Sequence, residues 1–140
     1  MVKLGDFNII TRVNQFNKIL QEKGTQGFIA PELIWNKKGL YSNKVDIFSL
    51  GSVIHELIAL RIPFEKEGAP ELISKGVRPR LYKKHRSYPV LLLDLMFWCW
   101  EPKCEVRPDA KQVLKTLLHK QFTALQVSTL YKAYTNQVLN

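Results

Sequence analysis

The side chains able to do chemistry are few and widely spaced. There are two cysteines, Cys99 and Cys104, and three histidines, His55, His85 and His119. Two cysteines without a neighbouring histidine pair cannot build a structural zinc site or a disulfide framework. Cys99 falls inside a run of apolar residues, where a thiol behaves as a small buried hydrophobe. None of the histidines stands in a pattern with a serine or cysteine that would make a nucleophile. Among the carboxylates, Asp6 follows the alternating stretch Val2-Lys3-Leu4 and would end a strand. The basic run from Arg78 to Arg86 lies between apolar segments and reads as a solvated loop. Trp98 and Trp100 lie in an apolar run and read as core rather than as a platform for nucleic-acid bases.

The elements that must position these groups are mostly helical. Ala30-Pro31-Glu32 opens a short helix, proline being suited to a first turn. Ser42 or Asn43 caps a longer helix from Lys44 to about Leu60, whose apolar residues cover nearly all its sides; such a helix belongs in the middle of a core. Pro63 ends that segment. Pro70 to Gly76 is a short helix with proline at its start and glycine past its end. Pro89 opens a strongly apolar helix through Trp100, stopped by Glu101-Pro102-Lys103. Pro108-Asp109 opens the last, with Ala110, Val113, Leu114, Leu117 and Leu118 at helical spacing and Phe122 and Leu125 extending it. Residues 6–27 are polar and form a long loop, a kind of segment that usually carries function.

The chain has 140 residues, 46% of them hydrophobic and 24% charged, which is globular composition for one domain. No apolar run is long enough to span a membrane, and residues 1–6 lack the apolar region of a signal peptide. The cysteine usage leads to the expectation of a reducing, cytoplasmic location. The net charge of +9 points toward an acidic partner, but the basic residues are scattered, and a nucleic-acid partner is not expected.

Four short motifs, in order, carry a family resemblance. Val2-Lys3-Leu4-Gly5-Asp6-Phe7-Asn8 resembles the strand and Asp-Phe-Gly turn of protein kinases. Gly24 to Glu32 resembles the end of the kinase activation segment, with its Ala-Pro-Glu. Val45-Asp46-Ile47-Phe48-Ser49-Leu50-Gly51 resembles the start of the large central helix of the kinase C-lobe. Cys99-Trp100-Glu101-Pro102 with Arg107-Pro108 resembles the last kinase subdomain. In finer detail, Gly24 to Phe28, Ser74 to Pro79 and Phe122-Thr123-Ala124 are similar to leucine-rich repeat kinases of the Roco group, within the tyrosine-kinase-like kinases.

The resemblance implies a mainly α fold: a kinase C-lobe fragment of the α+β kinase fold, lacking the N-lobe. It spans residues 1–120, with an activation segment at 6–32 and a C-terminal extension at 121–140. It implies ATP-dependent phosphorylation of serine or threonine in a protein substrate, with ATP and Mg²⁺ as cofactors of the complete kinase. Asp6 would hold the metal and Phe7 would pack beside it. Asn8 replaces the family glycine; asparagine is among the residues most tolerant of a positive φ, so the turn can still form. Thr25 would line the substrate loop and marks serine/threonine specificity. Glu32 and Arg107 would form a buried ion pair, and Asp46 would brace the catalytic loop. The sequence contains no Gly-rich phosphate loop, Val-Ala-Ile-Lys strand or His-Arg-Asp loop, which precede the Asp-Phe-Gly turn in kinases. No catalytic base is therefore expected in this chain. An upstream kinase N-lobe is the expected partner, and the isolated chain is expected to be inactive. The other reading is a pseudokinase-like scaffold that keeps the fold and drops the chemistry.

Overall fold

The computed structural model describes residues 3–10, 24–35, 41–65, 68–82 and 88–118. Within them lie five α-helices: α1 (Pro31–Trp35), α2 (Lys44–Ala59), α3 (Ala69–Ser74), α4 (Val90–Cys99) and α5 (Ala110–Leu117). A 3-10 turn at Cys104–Val106, which no periodicity announced, joins α4 to α5. No strand occurs among the described residues, so Lys3 and Leu4 belong to irregular chain rather than to the end of a strand. The expected continuation of the last helix through Phe122 and Leu125, and the extension at 121–140, lie outside the described residues, as do 11–23 of the long loop.

The helix ends follow local chemistry. α3 has Pro70 in its first turn and closes with Gly76 at φ +80°, where the Val77 N–H reaches back to the Leu72 carbonyl at 2.9 Å. This is the left-handed C-terminal closure that glycine makes without steric cost. α5 starts with a reciprocal cap. The Asp109 carboxylate accepts from the Gln112 N–H at 2.7 Å, and the Gln112 side chain accepts from the Asp109 N–H at 2.8 Å. α2 ends at Leu60 in the left-handed conformation, its N–H on the Glu56 carbonyl.

The core forms where α2 packs along α4, with α1 against α3 and α5 against α4. Phe48, Ile54 and Ile58 from α2 meet Leu93, Leu95, Met96 and Cys99 from α4, with Ile73 and Val113 from the flanking helices. The two main helices approach closely at Gly51. A Cβ there would stand 2.8 Å from the Trp100 ring and 3.0 Å from Cys99. Polar groups at this seam are paired. The Trp100 indole donates to Ser52 Oγ at 3.1 Å, and Arg78 donates twice to the Trp100 carbonyl, at 3.1 and 2.7 Å.

Arg78 corrects the reading of the basic run. It is 5% exposed, with its guanidinium over the Phe48 ring, so the run begins as part of the core. An arginine fork can satisfy a carbonyl at a helix end that no backbone donor reaches. The central helix is only partly covered, the outcome expected of an all-round apolar helix in a chain with few elements to surround it. Val53 is 41% exposed, Leu57 68% and Leu60 86%, so one side of an all-round apolar helix is uncovered.

Candidate functional site

The loop before α1 is a tight turn. The Phe28 N–H donates to the Thr25 carbonyl at 3.1 Å, and Gly27, third of the four residues, has φ +88°. Positive φ at that position is the signature of a type II turn. Gly27 is also pressed against the segment after α2: a Cβ there would lie 2.4 Å from the Pro63 carbonyl oxygen. Ser49 of α2 holds the other side, donating to the Phe28 carbonyl at 2.8 Å. Thr25 thus sits, exposed, on a turn that rests on Ser49 of α2 and on Pro63 beyond the end of that helix.

Glu32 and Arg107 are brought together from opposite ends of the described chain. Arg107 Nη1 and Nη2 donate to the two carboxylate oxygens of Glu32 at 2.6 and 2.8 Å. The other arginine donors reach the carbonyls of Glu101, Lys44 and Pro102 at 2.8, 2.9 and 3.3 Å. Lys44 Nζ in turn donates to the Arg107 carbonyl. The guanidinium lies 5.1 Å from the Phe48 ring centroid, and Arg107 is 1% exposed. A buried guanidinium is tolerated because all five of its donor positions have acceptors. One side chain therefore joins α1, the start of α2 and the turn after α4.

Asp6 is exposed and has φ +61°. The positive φ falls here and not on Asn8, which corrects the expectation that Asn8 takes over the conformation of the family glycine. Asn8 instead turns its amide onto Asp6 Oδ1 at 2.6 Å. This short polar link between residues two apart holds a local turn without asking Asn8 for a left-handed backbone. Phe7, expected to pack, is 60% exposed, since the described residues build no apolar wall around it. Asp46 is exposed and receives no donor from a described residue; partial burial raises its carboxyl above the ordinary value.

The donor chemistry at Asp6 fits Mg²⁺ only in part. Magnesium takes oxygen ligands and is commonly held through one or two carboxylates plus substrate phosphates. Asp6 offers a carboxylate with one oxygen left open by Asn8. Among the described residues no cluster of three metal-ligating side chains exists, and Asp6 brings a single carboxylate.

Cys99 is fully buried, and burial pushes its thiol up to about 12 against the opposing pull of the Arg107 charge. The protonated thiol is the form the fold favours. Its stabilising contribution is full below about pH 9, the unfolded value, and is lost as pH rises from there toward 12. Denaturant titrations should show stability falling above about pH 9, and Cys99→Ser should flatten that limb. With iodoacetamide at neutral pH, mass spectrometry should find Cys104, which is partly exposed, labelled well before Cys99.

Residues 1–119 match the protein kinase domain family. The chain is 36% identical over 127 residues to a Caenorhabditis elegans leucine-rich repeat serine/threonine-protein kinase 1, covering 89% of this chain and 5% of that protein. It is 32% identical over 121 residues to the Arabidopsis thaliana serine/threonine-protein kinase STY46, covering 84% of this chain and 20% of that protein. It is 29% identical over 124 residues to the human mitogen-activated protein kinase kinase kinase 7, covering 85% of this chain and 19% of that protein. The chain belongs to the protein kinase family. It spans between a twentieth and a fifth of the length of these relatives. No helix among the described residues is long and apolar enough to cross a membrane.

Proposed function

We propose that the chain is the C-lobe portion, residues 1–120, of a serine/threonine kinase of the leucine-rich repeat, tyrosine-kinase-like group. The complete enzyme transfers the γ-phosphoryl group of Mg-ATP to a protein serine or threonine. The observation that carries this reading is the buried two-pronged pair between Glu32 and Arg107, which anchors the turn at Thr25 on the helical core. A substrate loop needs a rigid support of this kind, because misplacing an acceptor hydroxyl by about 1 Å can cost roughly a hundredfold in rate.

In this reading Thr25 lines the substrate loop, and Glu32 and Arg107 fix it. Asp46 is the brace for a catalytic loop supplied from outside residues 1–140, and its lack of a donor among the described residues agrees with that. Asp6 is the carboxylate ligand for the nucleotide's magnesium, with Phe7 packing beside it once the remainder of the site is present. The metal, when bound with ATP, neutralises charge on the phosphates. Asp6 itself contributes only the ligand oxygen and, through Asn8, a fixed orientation.

In this reading the phosphate loop, the nucleotide-contacting lysine and the catalytic base lie outside residues 1–140, whose sequence contains no Gly-rich, Val-Ala-Ile-Lys or His-Arg-Asp motif. Calorimetric titration with Mg-ATP should therefore give no measurable heat of specific binding, and peptide phosphorylation should be absent. Micromolar, magnesium-dependent affinity would overturn this reading.

A second reading is a pseudokinase-like scaffold. It is favoured by the Asn8 amide on Asp6 Oδ1, which occupies one of the oxygens a metal would use. Asn8→Gly in the complete kinase separates the two. Raised or unchanged phosphoryl transfer supports the kinase, and inactivity of both forms supports the scaffold.

A further inference from the structure

The segment between α2 and α3 is held in an unusual backbone. Leu60 has φ +53° and Phe64 φ +56°, so two residues with side chains sit in the left-handed region on either side of Arg61-Ile62-Pro63. Such conformations persist only where the surroundings over-determine them. Here the determinants are visible. Pro63 is buried with its carbonyl against Gly27 of the Thr25 turn, and Leu60 is fixed by the Glu56 carbonyl.

The segment presents Arg61. Its guanidinium carbon lies 5.0 Å from the centroid of the Tyr82 ring, and Nη1 donates to the Tyr82 hydroxyl at 3.3 Å. The side chain is thus fixed by an aromatic face and a hydroxyl, yet exposed. No carboxylate of a described residue is within ion-pair distance of it, although Glu56 and Glu65 flank the segment in sequence. Arg80, two residues before Tyr82, is exposed as well. Stacking that leaves most of an arginine fork open prepares it for a planar or tetrahedral oxyanion.

We propose that Arg61, positioned by Tyr82, is a substrate-specificity residue that recognises an anionic side chain, carboxylate or phosphoryl, in the protein substrate. This rests on the reading of Thr25 as part of the substrate loop. Thr25 is two residues from Gly27, which touches Pro63, itself two residues from Arg61. Backbone reach puts the two within about 20 Å, or about six residues of extended peptide. The recognised group therefore lies within about six positions of the phosphorylated residue. The net charge of +9 adds a general attraction for acidic chains, and Arg61 supplies the fixed contact.

The test is a biosensor measurement on the 140-residue chain immobilised at low density. Serine-containing peptides carrying a glutamate tract, a phosphoserine, a neutral tract or a lysine tract are passed over it at two salt concentrations. The acidic and phosphorylated peptides should bind at least about tenfold more tightly than the neutral one, the range of a charge-assisted hydrogen bond. Arg61→Ala should remove that preference, and Tyr82→Leu should weaken it. Arg61 is exposed, so its loss should leave the melting temperature unchanged. A phosphoryl partner is indicated if phosphoserine is preferred and Arg61→Lys loses it, and a carboxylate partner if both peptides bind alike. Binding indifferent to peptide charge, or acid preference unchanged in Arg61→Ala, overturns the proposal. Thr25→Lys separates the underlying reading. If the Arg61-dependent preference survives while the serine peptides bind unaffected, the anion subsite stands and the placement of Thr25 beside the substrate fails.

Discussion

Arg107→Ala and Glu32→Ala are each expected to destabilise the fold by about 3–5 kcal/mol, and the double variant by far less than the sum. The reasons are geometric. Removing Glu32 leaves a guanidinium of 1% exposure with two donors unanswered. Removing Arg107 leaves the Glu32 carboxylate and three backbone carbonyls without their arginine donors. In the double variant the carboxylate and the guanidinium vanish together, so the penalty for an uncompensated charge disappears and the coupling energy is large. The carbonyls of Glu101 and Pro102 lose their arginine donors in both Arg107→Ala and the double variant, so Arg107→Ala should be the costlier single change. Arg107→Lys should recover little, because a point charge cannot span both carboxylate oxygens and three carbonyls. Urea titrations of the four proteins decide the matter. Additive effects would show that the two residues do not act as a pair in solution.

The helices were legible because their ends carry local signals that tertiary structure need not supply. Pro70 and Gly76 bracket α3, Asp109 with Gln112 opens α5, and Pro89 opens α4. The 3-10 turn at Cys104–Val106 carries no such signal. It exists because Trp98 Nε1 and the Arg107 fork draw the chain back onto α4 and α2. Arg78 was misread for a related reason. A basic run looks solvated in one dimension, and nothing local reveals that the Trp100 carbonyl will need two donors. At the site, residue types were legible and backbone states were not. Asn8 could be picked out as the substitute for a glycine, but its amide can serve the turn from its side chain, which leaves the positive φ on Asp6. Arg61 escaped notice because its interest comes from Tyr82, 21 positions away, and from a loop bracketed by two left-handed residues.

The 140-residue chain on its own is expected to self-associate and to bind hydrophobic dye, and this is the largest change of behaviour anticipated. On α2, Val53 and Leu57 stand four residues apart on one side of the helix, and Leu60 follows at its C-cap. They are 41%, 68% and 86% exposed, with Ile62 44% exposed just beyond. Contiguous apolar patches above a few hundred Å² are rare on monomers and drive association. The opposite side of the same helix is fully engaged: Phe48, Ile54 and Ile58 are buried against α4 and its neighbours. The helix therefore cannot rotate to hide the exposed side without opening the core. In the proposed function, the cover would come from the upstream part of the kinase domain, which would also supply the donor that Asp46 does not find among the described residues. Sedimentation velocity should show concentration-dependent oligomers. Leu57→Gln with Leu60→Gln should lower association at little cost in stability, because exposed positions usually tolerate substitution within about 0.5 kcal/mol. A chain extended upstream through a kinase N-lobe should be monomeric without those changes. A monodisperse, dye-silent chain that melts cooperatively would mean that residues 1–140 are self-sufficient, and would move the balance to the scaffold reading.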